Sequence, residues 1–105
     1  MSEQTLLVHV SCPPAAAPGL AEMLVEQRLA ACVNIIEQAR SVYRWQDKVK
    51  NESEALLLIK TTASEFPLLQ AAILGAHPYE LPEIIAVKIS TGYPPYLDWI
   101  KDSTA

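Results

Sequence analysis

Metal-binding side chains are scarce in this chain. Its 105 residues hold two cysteines and two histidines, and neither pair has the CxxC or His-x₃-His spacing around which closed zinc sites are built. Positive charge is also short. Eight Lys and Arg stand against twelve Asp and Glu, a net charge of −4, the reverse of the basic face that a nucleic-acid binder presents. No run approaches the roughly 18 apolar residues of a membrane span. Met1-Ser2-Glu3-Gln4-Thr5 lacks the cationic region and apolar core of a signal peptide. The expectation is a cytoplasmic protein without nucleic-acid or membrane partners. Nucleophile elbow, phosphate loop, HExxH and dinucleotide fingerprint are all missing, so no enzyme is expected.

What remains is ordinary globular material, 50% hydrophobic and 19% charged, of a length that makes residues 1–105 one domain with its own core. With no signal peptide, Cys12 and Cys32 read as reduced, small buried hydrophobes, with soft metal ligation as the alternative.

The first strand is Leu6 to Cys12, with Leu6, Val8, Val10 and Cys12 on one face and Leu7, His9 and Ser11 on the other. Pro13-Pro14 stops it. A helix is predicted from about Pro18, with Ala21, Leu24, Val25, Leu29 and Cys32 as its inner stripe. Val33 to Ile36 begins a second strand, which resumes at Ser41 to Trp45 after a polar break at Glu37-Gln38-Ala39-Arg40, the mark of a bulge. Gln46-Asp47-Lys48 should be a hairpin tip. The return strand is polar from Lys50 to Glu54 and apolar from Ala55 to Ile59, ending at Lys60, so its polar half should project as a ribbon. Ser64 is a candidate N-cap for a second helix buried through Phe66, Leu69 and Ile73, and Gly75 a candidate C′ glycine. Ile84 to Ile89 reads as a buried fourth strand. Gly92 and Pro94-Pro95 suggest a turn before a short helix from Tyr96 to Lys101, with Leu97 and Ile100 inward.

The order strand, helix, strand, strand, helix, strand predicts an α+β fold. It is the ferredoxin-like βαββαβ arrangement, an antiparallel sheet with both helices on one face, a long hairpin between the second and third strands, and a short C-terminal helix. Such a sheet normally leaves its second face to water. Here Leu56 to Ile59, Ile84 to Val87 and Ile35-Ile36 are apolar on both faces, so the second face needs a cover. A neighbouring copy supplies one, and an obligate oligomer is expected.

The best site candidate is His77-Pro78-Tyr79-Glu80-Leu81-Pro82-Glu83. The two prolines bias His77 and Leu81 to extended conformation and hold the polar groups on a stiff loop leading into the fourth strand. His77 reads either as a metal ligand through a neutral ring nitrogen, with Glu80 in reach, or as a loop histidine bonded into a subunit interface. Glu80 and Glu83 read as a solvated or salt-bridged pair or as an acid–base pair. Tyr79 and Trp45 read as interface aromatics. Lys60 would neutralise Glu80 or Glu83, or hold an anionic ligand. His9 should pack within the sheet.

Together, Leu29-Ala30-Ala31-Cys32-Val33-Asn34-Ile35-Ile36, Ser41-Val42-Tyr43-Arg44-Trp45 with Lys48, Leu57-Leu58-Ile59-Lys60-Thr61-Thr62, His77-Pro78-Tyr79-Glu80-Leu81-Pro82-Glu83-Ile84 and Tyr96-Leu97-Asp98-Trp99-Ile100 resemble the CutA family of divalent-cation tolerance proteins. The resemblance covers nearly the whole chain. It implies a ferredoxin-like subunit in a tight homotrimer, with hairpins wrapping the neighbour. It also implies a part in tolerance to divalent cations, copper above all, with copper(II) or a similar cation as a bound ion not required for folding. By this resemblance His77 matches the family's HPY histidine and Cys32 its AAC cysteine, both near the metal; the expected site is His77 with help from Cys32 or from Glu80 of its own loop. A cysteine that some members carry late in the first strand is Val10 here, with Cys12 two residues on. A histidine that some carry before the HPY motif is Ala76. A proline-glycine turn is replaced by Glu37-Gln38, and the glycine common at the hairpin tip by Asp47. Fold and trimer are also similar to the nitrogen-regulatory signalling trimers. This implies a second possibility, a small-molecule cleft between subunits near Trp45, Lys60, Tyr79 and Glu83.

Overall fold

In a computed structural model, which describes residues 3–104, the sheet grows outward from the first strand. Strand β1 (Thr5–Cys12) pairs antiparallel with both β3 (Lys48–Thr62) and β4 (Ile84–Lys88), and β2 (Cys32–Trp45) closes the far edge, giving the order β2-β3-β1-β4. Helices α1 (Ala17–Glu26) and α2 (Phe66–Ala76) cover one face, and α3 (Pro94–Ser103) ends the chain. Leu6, Val8, Val10 and Cys12 of β1 meet Ala55, Leu57 and Ile59 of β3, Leu20 and Leu24 of α1, and Leu69 and Ile73 of α2 in one buried cluster. The period-2 alternation of β1 thus faces the core as its sequence predicts.

The first helix is shorter than its apolar spacing predicts. It stops at Gln27 because Arg28 turns left-handed, with φ 61°. The Leu29 amide then donates to the Leu24 carbonyl, and the Arg28 amide to that of Val25, a Schellman closure built without glycine. Cys32 is consequently in β2 and not on a helix, Leu29 is buried from the turn, and Val25 is 42% exposed. Leu20 fills the place assigned to Val25.

Strands β2 and β3 form the long hairpin. The register shifts between Ile36 and Ala39, where Glu37 and Gln38 oppose the single residue Ala55, and Gln38 has φ 63°. This is the bulge expected at the polar break. The tip is tighter than expected. Trp45 pairs with Lys48, leaving Gln46 and Asp47 as a two-residue turn with φ 51° and 64°, as a type I′ turn requires. Because β1 pairs only with Ala55 to Thr62 of β3, residues 48–54 have β2 as their sole partner and project as a ribbon. The described residues span 46 Å along their longest axis and 25 Å across.

Other boundaries shift for local reasons. Ser64 does not cap α2. Its amide donates to Glu3, and the cap position is Glu65, already helical and without a side-chain bond. Gly75 lies inside α2 at negative φ, and the helix ends at extended His77, because Pro78 excludes the helical region for the residue before it. Helix α3 takes Pro94 and Pro95 into its first turn, where a missing amide costs nothing. There Ile100 is buried, whereas Leu97 is only half-buried, against Gly92.

Strand β4 is not buried within the subunit. On the face away from α1 and α2, Ile85 is 56% exposed, Val87 60% and Ile36 45%, with Leu7, Leu56 and Leu58 half-covered beside them. At one corner of this face the Tyr96 phenol of α3 lies against the Cys32 thiol. No helix among the described residues is long and apolar enough to cross a membrane.

Candidate functional site

The proline-braced loop between α2 and β4 folds back onto the end of β1 and the root of the hairpin. His77 is buried there. Its Nε2 lies 2.8 Å from the main-chain oxygen of Ser11, and its Nδ1 lies 3.1 Å from the Tyr79 amide nitrogen. An amide can only donate and a carbonyl can only accept. The ring is therefore the neutral Nε2–H tautomer, donating to Ser11 and accepting from Tyr79. The ring also meets the Tyr79 ring at a tilt of 53°, with centroids 4.8 Å apart.

Tyr79 turns into the hairpin. Its hydroxyl donates to Glu54 Oε2 at 2.7 Å, and burial, followed by that bond, pushes its phenol well above the usual tyrosine range. Further out on the ribbon, Tyr43 donates to Glu52 at 2.6 Å, and that bond raises its pKa to about 12. On the sheet side, the Ser11 hydroxyl donates to one oxygen of Glu83 at 3.1 Å, and His9 Nε2 lies 3.7 Å from the other. All of these groups except His9 border an open cleft of about 740 Å³ between the ribbon and the loop.

Trp45, Tyr79 and Glu83, expected in a cleft between subunits, all line this one within the subunit, and so does Glu80. Lys60 does not. It lies six residues along β3 from Glu54, roughly 20 Å for an extended strand, bonded to Asn34 and 3.8 Å from the Cys32 sulfur. Cys32 goes with Lys60, and Glu80 stays exposed on the loop, so the three expected metal ligands are not gathered within one subunit. Among the described residues no three His, Cys, Asp or Glu side chains are grouped to hold an ion. Both cysteines are free. Cys12 is buried, and its thiol is pushed up by that burial and by the nearby Glu54.

Four contributors escape the sequence reading. Glu54 looks like the end of a solvated run, yet only 4% of it is exposed. The available signal was its place as the last charge before five apolar residues. Tyr43, Glu52 and Ser11 gave no signal, because their partners come from the other side of the hairpin or from a loop 72 residues away.

Compared with known proteins, residues 6–103 match the family model described as CutA1 divalent ion tolerance protein. A relative from Thermus thermophilus, named divalent-cation tolerance protein CutA, is 45% identical over 97% of this chain and 98% of its own length. The chain spans little more than half the length of several longer relatives. The crystal structure of CutA1 from Oryza sativa superposes with a TM-score of 0.95 at 39% identity, covering 99% of this chain and 96% of that one. A Nostoc protein described as the PII-like protein CutA superposes at 0.91 and 30% identity, covering 95% and 97%. A four-stranded antiparallel sheet of this order, matched along nearly its full length, gives one reading: the chain belongs to the CutA1 divalent ion tolerance family.

Proposed function

We propose that this chain serves divalent-cation tolerance as a homotrimer of ferredoxin-like subunits, taking up copper(II) or a similar cation weakly at His77 with Glu80 from the same loop. The observation that carries this reading is the match to the tolerance family across residues 6–103. The strand order supports the ferredoxin-like description. The uncovered Ile36, Ile85 and Val87 support a cover made by other copies of the chain. Weak uptake follows from His77 itself, because an ion must displace either the Tyr79 amide from Nδ1 or the proton that Nε2 gives to Ser11. Cys32, beside Lys60, would join His77 only from a neighbouring subunit. Free thiols at Cys12 and Cys32 favour a reducing, cytoplasmic setting. No catalytic step is proposed.

Calorimetric titration of copper(II) and zinc(II) into the reduced protein, beside His77→Asn, tests the ion site. Asparagine keeps an acceptor for the Tyr79 amide but offers no imidazole. One weak saturable site per subunit, lost in the variant, supports the reading. Equal, non-saturating heats from both proteins overturn it.

A second reading is favoured by the cleft between ribbon and loop, whose size suits a small molecule, and by the likeness to a protein described as PII-like. On this reading the trimer signals or scaffolds by binding a small molecule there. Metal-independent thermal stabilisation that survives His77→Asn is its signature.

A further inference from the structure

His9 has no part in either reading of the site. It stands on the sheet face away from α1 and α2, between Leu7 and Ser11 along β1, with Leu58 of β3 and Ile85 of β4 as its cross-strand neighbours. Its Nε2 lies 3.7 Å from one oxygen of Glu83, whose other oxygen accepts from the Ser11 hydroxyl. In the lone subunit the His9 and Glu83 side chains are 35% and 47% exposed, and an ion pair so open to water is worth little.

Other charges on this side of the sheet are engaged elsewhere. Lys60 shares the face, opposite Leu7, but is bonded to Asn34 of β2, which lies two strands from β1 and so roughly 10 Å from His9. Glu54, held by Tyr79, is four residues along β3 from Leu58, roughly 13 Å away. On α3, whose Tyr96 lies against Cys32, Asp98 and Lys101 are 4.0 Å from each other. Lys88 pairs with Leu6 on the core side of the sheet, Glu80 stays exposed on the loop, and His77 is bonded to Ser11 and Tyr79. Among the described residues, Glu83 is the one charged group within ion-pair distance of His9.

The pair sits among Ile85, Val87 and Ile36, the apolar side chains that the subunit leaves uncovered. A second copy of the chain lying on this face takes water away from the pair as well. A lone carboxylate is costly there, and the Ser11 hydroxyl supplies a hydrogen bond but no charge. One proton on the pair removes the cost, because imidazolium beside carboxylate is neutral as a whole. Histidine is the side chain that gains such a proton between about pH 5 and 8.

We propose that assembly takes up one proton at each His9–Glu83 pair, so that the oligomer is held more tightly at pH 6 than at pH 8. The inference rests on the homotrimer reading and adds a regulator of it. The assembled state binds more protons than the separate subunits, so assembly strengthens as pH falls through this range and weakens as it rises. The proton belongs to the pair, and glutamine in place of either member removes the linkage between pH 6 and 8.

The test follows the His9 ring by nuclear magnetic resonance from pH 5 to 9 in the intact protein with metals chelated, while light scattering gives the mass of each sample. The ring signal lost in His9→Gln assigns it. In Glu83→Gln, which keeps an acceptor for Ser11, His9 should lose its proton about one pH unit lower than in wild type. That difference should persist at about 0.5 M salt, because a covered pair is screened far less than an exposed one. Urea midpoints for dissociation should fall more from pH 6 to pH 8 in wild type than in either glutamine variant, His77 being common to all three. A trimer in which His9 titrates alike with and without Glu83 overturns the proposal and leaves the trimer standing. A difference that vanishes in salt does the same, since it marks an exposed pair. A monomeric wild type overturns both.

Discussion

His77 donates from Nε2 to the main-chain oxygen of Ser11 at 2.8 Å, pinning the loop after α2 to the end of β1 across 66 residues of sequence. The same ring accepts the Tyr79 amide, so the motif histidine builds the site before it binds anything. Removing it should therefore cost stability. Each lost partner leaves a polar group unsatisfied at about 1–3 kcal/mol, and His77→Ala should lower the denaturant midpoint accordingly. His77→Asn, able to form an Asx turn with the Tyr79 amide, should recover part of the loss. Equal midpoints for wild type and His77→Ala would contradict this role.

The sheet face bearing Ile85 and Val87 should hold the oligomer together. Both side chains are more than half exposed in the subunit, where a surface substitution changes stability by only about 0.5 kcal/mol. Val87→Glu should accordingly leave the subunit fold intact while abolishing assembly. Light scattering should give the mass of three chains for wild type and of one for Val87→Glu. A wild-type protein that stays monomeric and folded at low micromolar concentration would sink the interface.

Alkaline pH should loosen the ribbon's hold on the loop. Burial first, and then the bond to Glu54, raise the Tyr79 phenol, so the folded chain keeps its proton where the unfolded chain loses it. The stability tied to Tyr79 is then fully present below about pH 10, the ordinary tyrosine value, and is lost as pH rises through the folded value. Denaturant midpoints measured on both sides of pH 10 should fall less steeply for Tyr79→Phe than for wild type. Parallel curves would remove Tyr79 from the account.

Asp47→Gly should stabilise the hairpin. Asp47 holds φ 64° at the tip, a left-handed conformation that costs an L-residue about 1–2 kcal/mol and glycine none, so a gain of up to about 1 kcal/mol remains after glycine's extra chain entropy. A rise in melting temperature checks it.

The order of elements, the core face of β1, the bulge at Gln38 and the hairpin root were all legible in the sequence, because each rests on local periodicity or a local break in it. Helix ends were not. Arg28 closes α1 in a conformation usually left to glycine, Gly75 sits inside the last turn of α2, and Pro94-Pro95 start a helix where a turn was expected. The site was half legible. Pro78 and Pro82 marked the His77 loop, and Trp45, Tyr79 and Glu83 do meet in one cleft. What joins that loop to the hairpin is Glu54, a charge whose burial depends on Tyr79, 25 residues later. Lys60, expected in a cleft between subunits, is set beside Cys32 by the strand register within the subunit.

The most direct test of the account is growth under graded copper(II), with zinc(II) in parallel, of cells lacking their own relative of this chain. Cells carrying the wild-type chain should tolerate more copper than cells carrying an empty vector, and Val87→Glu should return them to the vector level. Identical growth of all three across the series would contradict a tolerance function carried by the assembled protein.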